Sequence, residues 1–149
     1  MFPFHELILQ ALVKQYLSAE DKLAGFLTQL GINDVTPESL EVLSEKAFPE
    51  GHVDILLKEA VPLGISRKII IEVKRGAATK HDLWQLRHYV EEIGKECLAG
   101  ILVAGRFSPA RIKDANELGI KPVTYTLDST GDVFKFKDLL QNFSLKVQT

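Results

Sequence analysis

The chain has 149 residues, enough for one ordinary domain that buries roughly two-thirds of its unfolded surface. Hydrophobic residues at 46% and charged ones at 26% exclude a disordered, collagen-like or low-complexity chain. Eighteen Lys and Arg against 20 Asp and Glu give a formal net charge of -2, which excludes whole-molecule attraction to nucleic acid or an anionic membrane. A polyanionic partner would have to be met by a local patch.

The first apolar stretch, MFPFHELILQALV, lacks a basic start and is interrupted by His5 and Glu6, so it does not read as a signal peptide. No uninterrupted apolar run approaches the ~18 residues a membrane helix needs. Apolar positions from Phe4 to Leu30 recur at helical spacing and predict two short helices. Ser18 with Asp21 forms a candidate capping pair for the second, and Gly31 stops it. After the turn-rich stretch from Asn33 to Glu38 the period changes, and Leu40 and Val42, with Ala47 to Phe48, read as a strand.

Two clearer strands follow. His52 to Lys58 alternates, and Lys68 to Arg75 holds the β-branched run Ile69, Ile70, Ile71 and Val73. Pro62 and Gly64 lie between them, a connection short enough for an antiparallel hairpin. Thr79 caps the next helix with Asp82 three residues on. Its stripe Leu83, Leu86, Val90 and Ile93 faces inward, and Gly94 ends it. Leu98 to Ala104 is a strand, Ser108 to Leu118 a helix closed by Gly119, and Pro122 to Leu127 a further strand. Phe134, Phe136, Leu139, Leu140 and Phe143 predict a short amphipathic tail docked on the core.

The expected class is therefore α/β, a central mixed β-sheet flanked by helices in the order α-β-β-β-α-β-α-β, with parallel pairing among the later strands. A single domain over 1–149 is expected, with a helical segment at 4–30, a core at about 41–127 and a tail at 128–149. The lone Cys97 cannot make an internal disulfide and has no metal-ligand spacing around it. It is expected to be a small buried side chain in a cytoplasmic protein with no membrane partner and no organic cofactor.

Chemistry concentrates in GHVDILL at 51–57 and IIIEVKRG at 69–76. Side chains two apart on a strand share a face, so Glu72 and Lys74 point together, and Asp54 shares its face with His52, Leu56 and Lys58. If the strands are neighbours, Asp54, Glu72 and Lys74 converge at one end of the sheet. Two carboxylates and an ammonium on an apolar sheet are costly to desolvate without compensation, and a divalent ion supplies it. Oxygen donors favour Mg²⁺ or Mn²⁺ over zinc. Lys74 is then placed to position or deprotonate a water near that ion.

These residues resemble the PD-(D/E)xK nuclease superfamily, in which an Asp is followed by a (D/E)-x-K triplet on the next strand; here they are Asp54 and Glu72-Val73-Lys74. RecB-like members add Gln-x-x-x-Tyr on the following helix, matched by Gln85 and Tyr89. A closer resemblance is to the catalytic domain of EndoMS/NucS-type mismatch endonucleases, over roughly 41–127. The resemblance implies a restriction-endonuclease-like core and a Mg²⁺-dependent deoxyribonuclease, an endonuclease of DNA repair, recombination or restriction. It implies metal ligation by Asp54, Glu72, the Val73 carbonyl and Glu45, with Glu41 and Glu50 as competitors for the last position. Asp54, Glu72, Lys74 and Gln85 are its catalytic candidates. Val53 stands where the superfamily has proline, which leaves the ligand oxygens of Asp54 untouched. The separate DNA-binding domain of the mismatch enzymes has no counterpart, so mismatch specificity is not implied.

Four basic residues between Ser66 and Arg75, against Glu72 alone, lie beside the proposed site. Arg75, Lys80, Arg87, Tyr89 and His52 are the candidate DNA contacts, with Arg106 and Arg111 extending the patch. Trp84 is weighed, with Arg87, as a residue that stacks on or contacts DNA, but is expected in the core, or as an anchor if the chain forms a homodimer; His81 and His88 share a solvated helix face. The rival expectation is a non-catalytic nucleic-acid-binding or assembly module of the same fold.

Overall fold

In the computed structural model, residues 4–48, 51–60, 64–128 and 135–149 are described, and the side chains of 45–48 stand outside that description. Helices α1 (Glu6–Ser18) and α2 (Glu20–Leu30) precede three strands, β1 (Leu40–Phe48), β2 (Gly51–Glu59) and β3 (Lys68–Val73). Then come α3 (Lys80–Ile93), β4 (Cys97–Ala104), α4 (Pro109–Leu118), β5 (Ile120–Leu127), α5 (Phe136–Gln141) and β6 (Phe143–Val147).

The strands form one six-stranded sheet in sequential order, β1-β2-β3-β4-β5-β6. β1, β2 and β3 pair antiparallel, β3, β4 and β5 pair parallel, and β6 returns antiparallel to β5. The expected mixed α/β sheet and element order are thus observed. Parallel pairing of β3 with β4 and of β4 with β5 follows from the helical crossovers α3 and α4, which bring the chain back to the same end.

β3 is apolar on both sides because both are covered. Ile69, Ile71 and Val73 pack with Leu9, Leu12, Leu17 and Phe26 of the first two helices. Ile70 packs on the opposite face with Leu56, Leu83, Leu86, Leu102 and Ala115. On this second face α3 sits close to the sheet. A Cβ at Gly100 would lie 2.5 Å from Val90 Cγ2 and 3.2 Å from Ile120 Cδ1, so the missing side chain sets the distance between α3 and β4. The capping box expected at α3 forms, with Thr79 Oγ1 accepting from Asp82 N and Asp82 Oδ2 accepting from Thr79 N.

Three expectations are corrected. Ser18 does not cap α2: its hydroxyl donates to the Lys14 carbonyl at 2.7 Å, inside the last turn of α1. Ala19 takes the cap position without a side-chain bond. The tail does more than dock. Phe143 and Leu145 are buried while Ser144 and Lys146 are exposed, a period of two that adds β6 to the sheet. Trp84 is not in the core but 56% exposed on α3. Cys97 is partly buried, and that burial pushes its thiol up to about 11. Pro62 and Phe134 lie outside the described residues. Among the described residues no helix is long and apolar enough to cross a membrane.

Gly100→Ala should destabilise the domain by about 1–3 kcal/mol through overpacking against α3. Adding Val90→Ala should recover part of that loss, and urea unfolding of the two single variants and the double variant measures both.

Candidate active site

The site exists because two neighbouring strands separate. β2 and β3 pair from Lys58 and Lys68 to Ile55 and Ile71, and the ladder stops there. The Val73 N–H, beyond the end of that ladder, donates instead to Asp54 Oδ2 at 2.8 Å. A side-chain carboxylate therefore replaces a strand carbonyl, satisfying the backbone group while the strands part. β3 stays anchored on its other side, where Lys74 N donates to the Val103 carbonyl at 2.7 Å.

A cleft of about 300 Å³ opens at this point. Its walls carry Asp54 from β2, Glu72, Val73 and Lys74 from the end of β3, Asp82 and Gln85 from α3, Leu102 from β4, and Glu6 and Gln10 from α1. Asp54, Glu72 and Lys74, expected to converge, do so, and the candidate Gln85 joins them on the cleft wall. Glu6, Gln10 and Asp82 were not singled out as site residues. The i,i+4 pair Glu6 and Gln10, on the helix whose buried side holds Leu9 and Val13, was the available signal. Arg75 ties this wall in place by donating to the Phe4 carbonyl at 2.9 Å.

The two carboxyl groups dominate the electrostatics. Glu72 is pushed up to about 9, first by burial, then by the charge of Asp54 and a hydrogen bond to it. Its Oε1 is buried with no hydrogen-bond partner. A buried acceptor of this kind is costly unless something supplies positive charge or a donor. Lys74 does not supply it; its ammonium is 2.9 Å from Asp82 Oδ2 and 3.1 Å from Asp82 Oδ1. Burial works to raise Asp82, but hydrogen bonds from Lys74 and Thr79 outweigh it and hold the carboxyl below its ordinary range. Asp82 thus does two jobs, closing the capping box of α3 and fixing Lys74 at the cleft.

Gln85 Nε2 donates to the Tyr89 hydroxyl at 3.1 Å. The Tyr89 ring lies directly over Gly51 at the start of β2, so closely that a Cβ there would collide with it. Tyr89 therefore braces Gln85 from behind and is not itself on the cleft wall.

The remaining candidates are dispersed. The register sets the Glu45 backbone between the Ser44–Ile55 and Lys46–Val53 pairs, level with Asp54; its side chain, like Glu50, is outside the described set. Glu41 is exposed opposite Lys58, four residues along β2 from Asp54. Arg75, Lys80 and His52 are exposed. Arg87 is committed elsewhere, donating to Glu91 at 2.7 Å and to the Leu118 carbonyl at 3.1 Å. Arg111 lies 2.9 Å from Asp114, and Arg106 is exposed with its carbonyl accepting from Ala78.

The donor set fits a hard divalent cation. Among the described residues no group of three His, Cys, Asp or Glu is close enough to hold a metal ion; the cleft brings Asp54 and Glu72 together as a pair. Mg²⁺ is commonly held by one or two carboxylates, the rest of its shell being water and substrate oxygens. The unpartnered Glu72 oxygen is the observation that speaks for such an ion here.

The sign of the pH effect follows from Glu72. A carboxyl raised from 4.5 to about 9 favours its protonated form in the folded chain. That contribution to stability is complete below the unfolded value and is lost as pH rises through the window between the two. Without divalent cations, Tm should fall from pH 6 to pH 9, and Glu72→Gln should flatten the slope and raise Tm at pH 8 by several degrees. Thermal melts in EDTA across that range check both.

No family model and no curated protein matches the chain. Among solved structures it is similar to an EndoMS–dsDNA complex, at 26% identity and a TM-score of 0.44, over 70% of this chain and 43% of that one. A repair endonuclease from Pyrococcus abyssi aligns at 23% identity and a TM-score of 0.47, over 70% and 45%. EndoMS in apo form aligns at 18% identity and a TM-score of 0.42, over 70% and 44%. The chain thus spans less than half the length of each of these solved proteins.

Proposed function

We propose that this domain is a divalent-metal-dependent endonuclease that hydrolyses phosphodiester bonds in DNA. The observation that carries the reading is the pairing of Asp54 with Glu72 in an open cleft, one Glu72 oxygen buried without a partner, with Lys74 held beside them. A structural ion pair would leave no orphaned acceptor. A carboxyl set beside a second one, with a buried oxygen left unpaired, costs stability, as groups kept for binding do.

In this reading Asp54 and Glu72 hold Mg²⁺ or Mn²⁺, with the Val73 carbonyl as a further donor and Glu45 as an accessory acid. Bound there, the ion would supply Lewis acidity and a lowered pKa for water beside a phosphate. Lys74, pinned by Asp82, offers its remaining N–H donors to the attacking water or to a phosphate oxygen on which charge develops. Gln85, braced by Tyr89, orients the same groups. Glu6 and Gln10 close the opposite wall and position water by hydrogen bonding. Arg75, Lys80 and His52 meet the phosphate backbone without reading sequence. Cutting both strands of a duplex takes two such sites, which a homodimer would provide.

The test is incubation of the purified protein with linear, nicked, mismatched and branched DNA in Mg²⁺, Mn²⁺ or EDTA. Asp54→Ala and Lys74→Ala should each lower the cleavage rate by at least about 10²-fold, and Glu6→Gln by a smaller factor. Cutting in EDTA, or equal cutting by wild type and both alanine variants, would overturn the mechanism. Salt-sensitive DNA retention with no product from any substrate would instead favour the non-catalytic module.

A further inference from the structure

Trp84 is 56% exposed, although a tryptophan side chain is usually covered over most of its area. It precedes Gln85, which lines the cleft, on a helix whose start is fixed by the Thr79–Asp82 box and by the Lys74–Asp82 ion pair. The indole therefore stands on a fixed helix, one residue from the cleft-lining Gln85 and turned about 100° from it toward solvent. Its helical neighbours at i-4, i-3 and i+4 are Lys80, His81 and His88, all exposed. Glu92 lies 3.9 Å from His88 Nε2. No other exposed large hydrophobic residue lies on α3, since those on the described surface are Leu7, Ile65 and Phe136.

We infer that Trp84 is a stacking platform for an unpaired nucleobase beside the cleft, making a single-stranded or locally opened segment the preferred substrate. A protein interface gathers several apolar groups around its aromatic anchor. A lone indole flanked by Lys80 and two imidazoles lacks that surround and matches what a base and its phosphate need: one π-face and a nearby cation. A regular duplex keeps its base faces stacked inside and cannot use the platform. The inference deepens the nuclease reading and rests on it for the substrate class, yet stacking is measurable without cleavage.

Trp84 is the only tryptophan in the chain, so intrinsic emission reports this position alone. In EDTA, titration with a single-stranded oligonucleotide should quench the emission and saturate, while a blunt duplex of the same length should quench little. Trp84→Ala should weaken single-strand binding by about 5- to 150-fold, measured by anisotropy of a labelled oligonucleotide, and leave duplex binding nearly unchanged. Trp84→Phe should fall between the two. Equal single-strand affinity of wild type and Trp84→Ala, or single-strand binding with unaltered emission, would overturn the platform while leaving the nuclease reading intact. An emission change that depends on protein concentration without DNA, lost together with dimers in Trp84→Ala, would overturn it in favour of a self-association anchor. Quenching with no cleavage under any metal would support the platform and defeat the catalytic reading.

Discussion

One hydrogen bond organises the proposed chemistry of this domain: the Val73 N–H donating to the Asp54 carboxylate at 2.8 Å. Had a β2 carbonyl taken that N–H, β2 and β3 would have stayed zipped and there would be no cleft. With a carboxylate as acceptor, the strands part with the backbone satisfied, and Asp54 is held beside Glu72. The same bond therefore sets the end of the sheet and the spacing of the acidic pair.

The surrounding fold holds this arrangement against its own repulsion. β3 is locked by Ile69, Ile70 and Ile71, all fully buried between two helical layers. α3 is set at a fixed height by Gly100 and at a fixed start by its capping box, so Asp82 reaches Lys74 and keeps the ammonium at the cleft. Tyr89 braces Gln85 against Gly51. What remains unbalanced is Glu72, half-buried, next to another carboxyl, with one buried oxygen unpaired. Stability is low here where binding would use it, a division of labour common at functional sites.

Much of this was legible in the residues. A β-branched run predicts β3, period two predicts β2, and a Thr with an Asp three residues on predicts the start of α3; each is a local rule that tertiary packing reinforced. Convergence of Asp54, Glu72 and Lys74 followed from strand parity once a hairpin was assumed. What was not legible depended on contacts between distant segments. Glu6 reads in the sequence as an interruption of an apolar start with Gln10 four residues on, and its place on the cleft wall depends on how α1 crosses the sheet end. β6 was missed because Phe143, the last residue taken into the tail's apolar pattern, is the first of a strand. Ser18 met the composition of a cap, but its hydroxyl was already used within α1. Trp84 fits the stripe of a buried helix by type alone, yet its position turns it outward.

The central claim is that the Asp54–Glu72 pair is a seat for one divalent cation. The most direct measurement is an anomalous difference map from crystals grown with millimolar Mn²⁺. The account predicts a peak between the Asp54 and Glu72 carboxylates that vanishes in Asp54→Asn. A map with no peak in that cleft, or with Mn²⁺ bound only elsewhere, would contradict it.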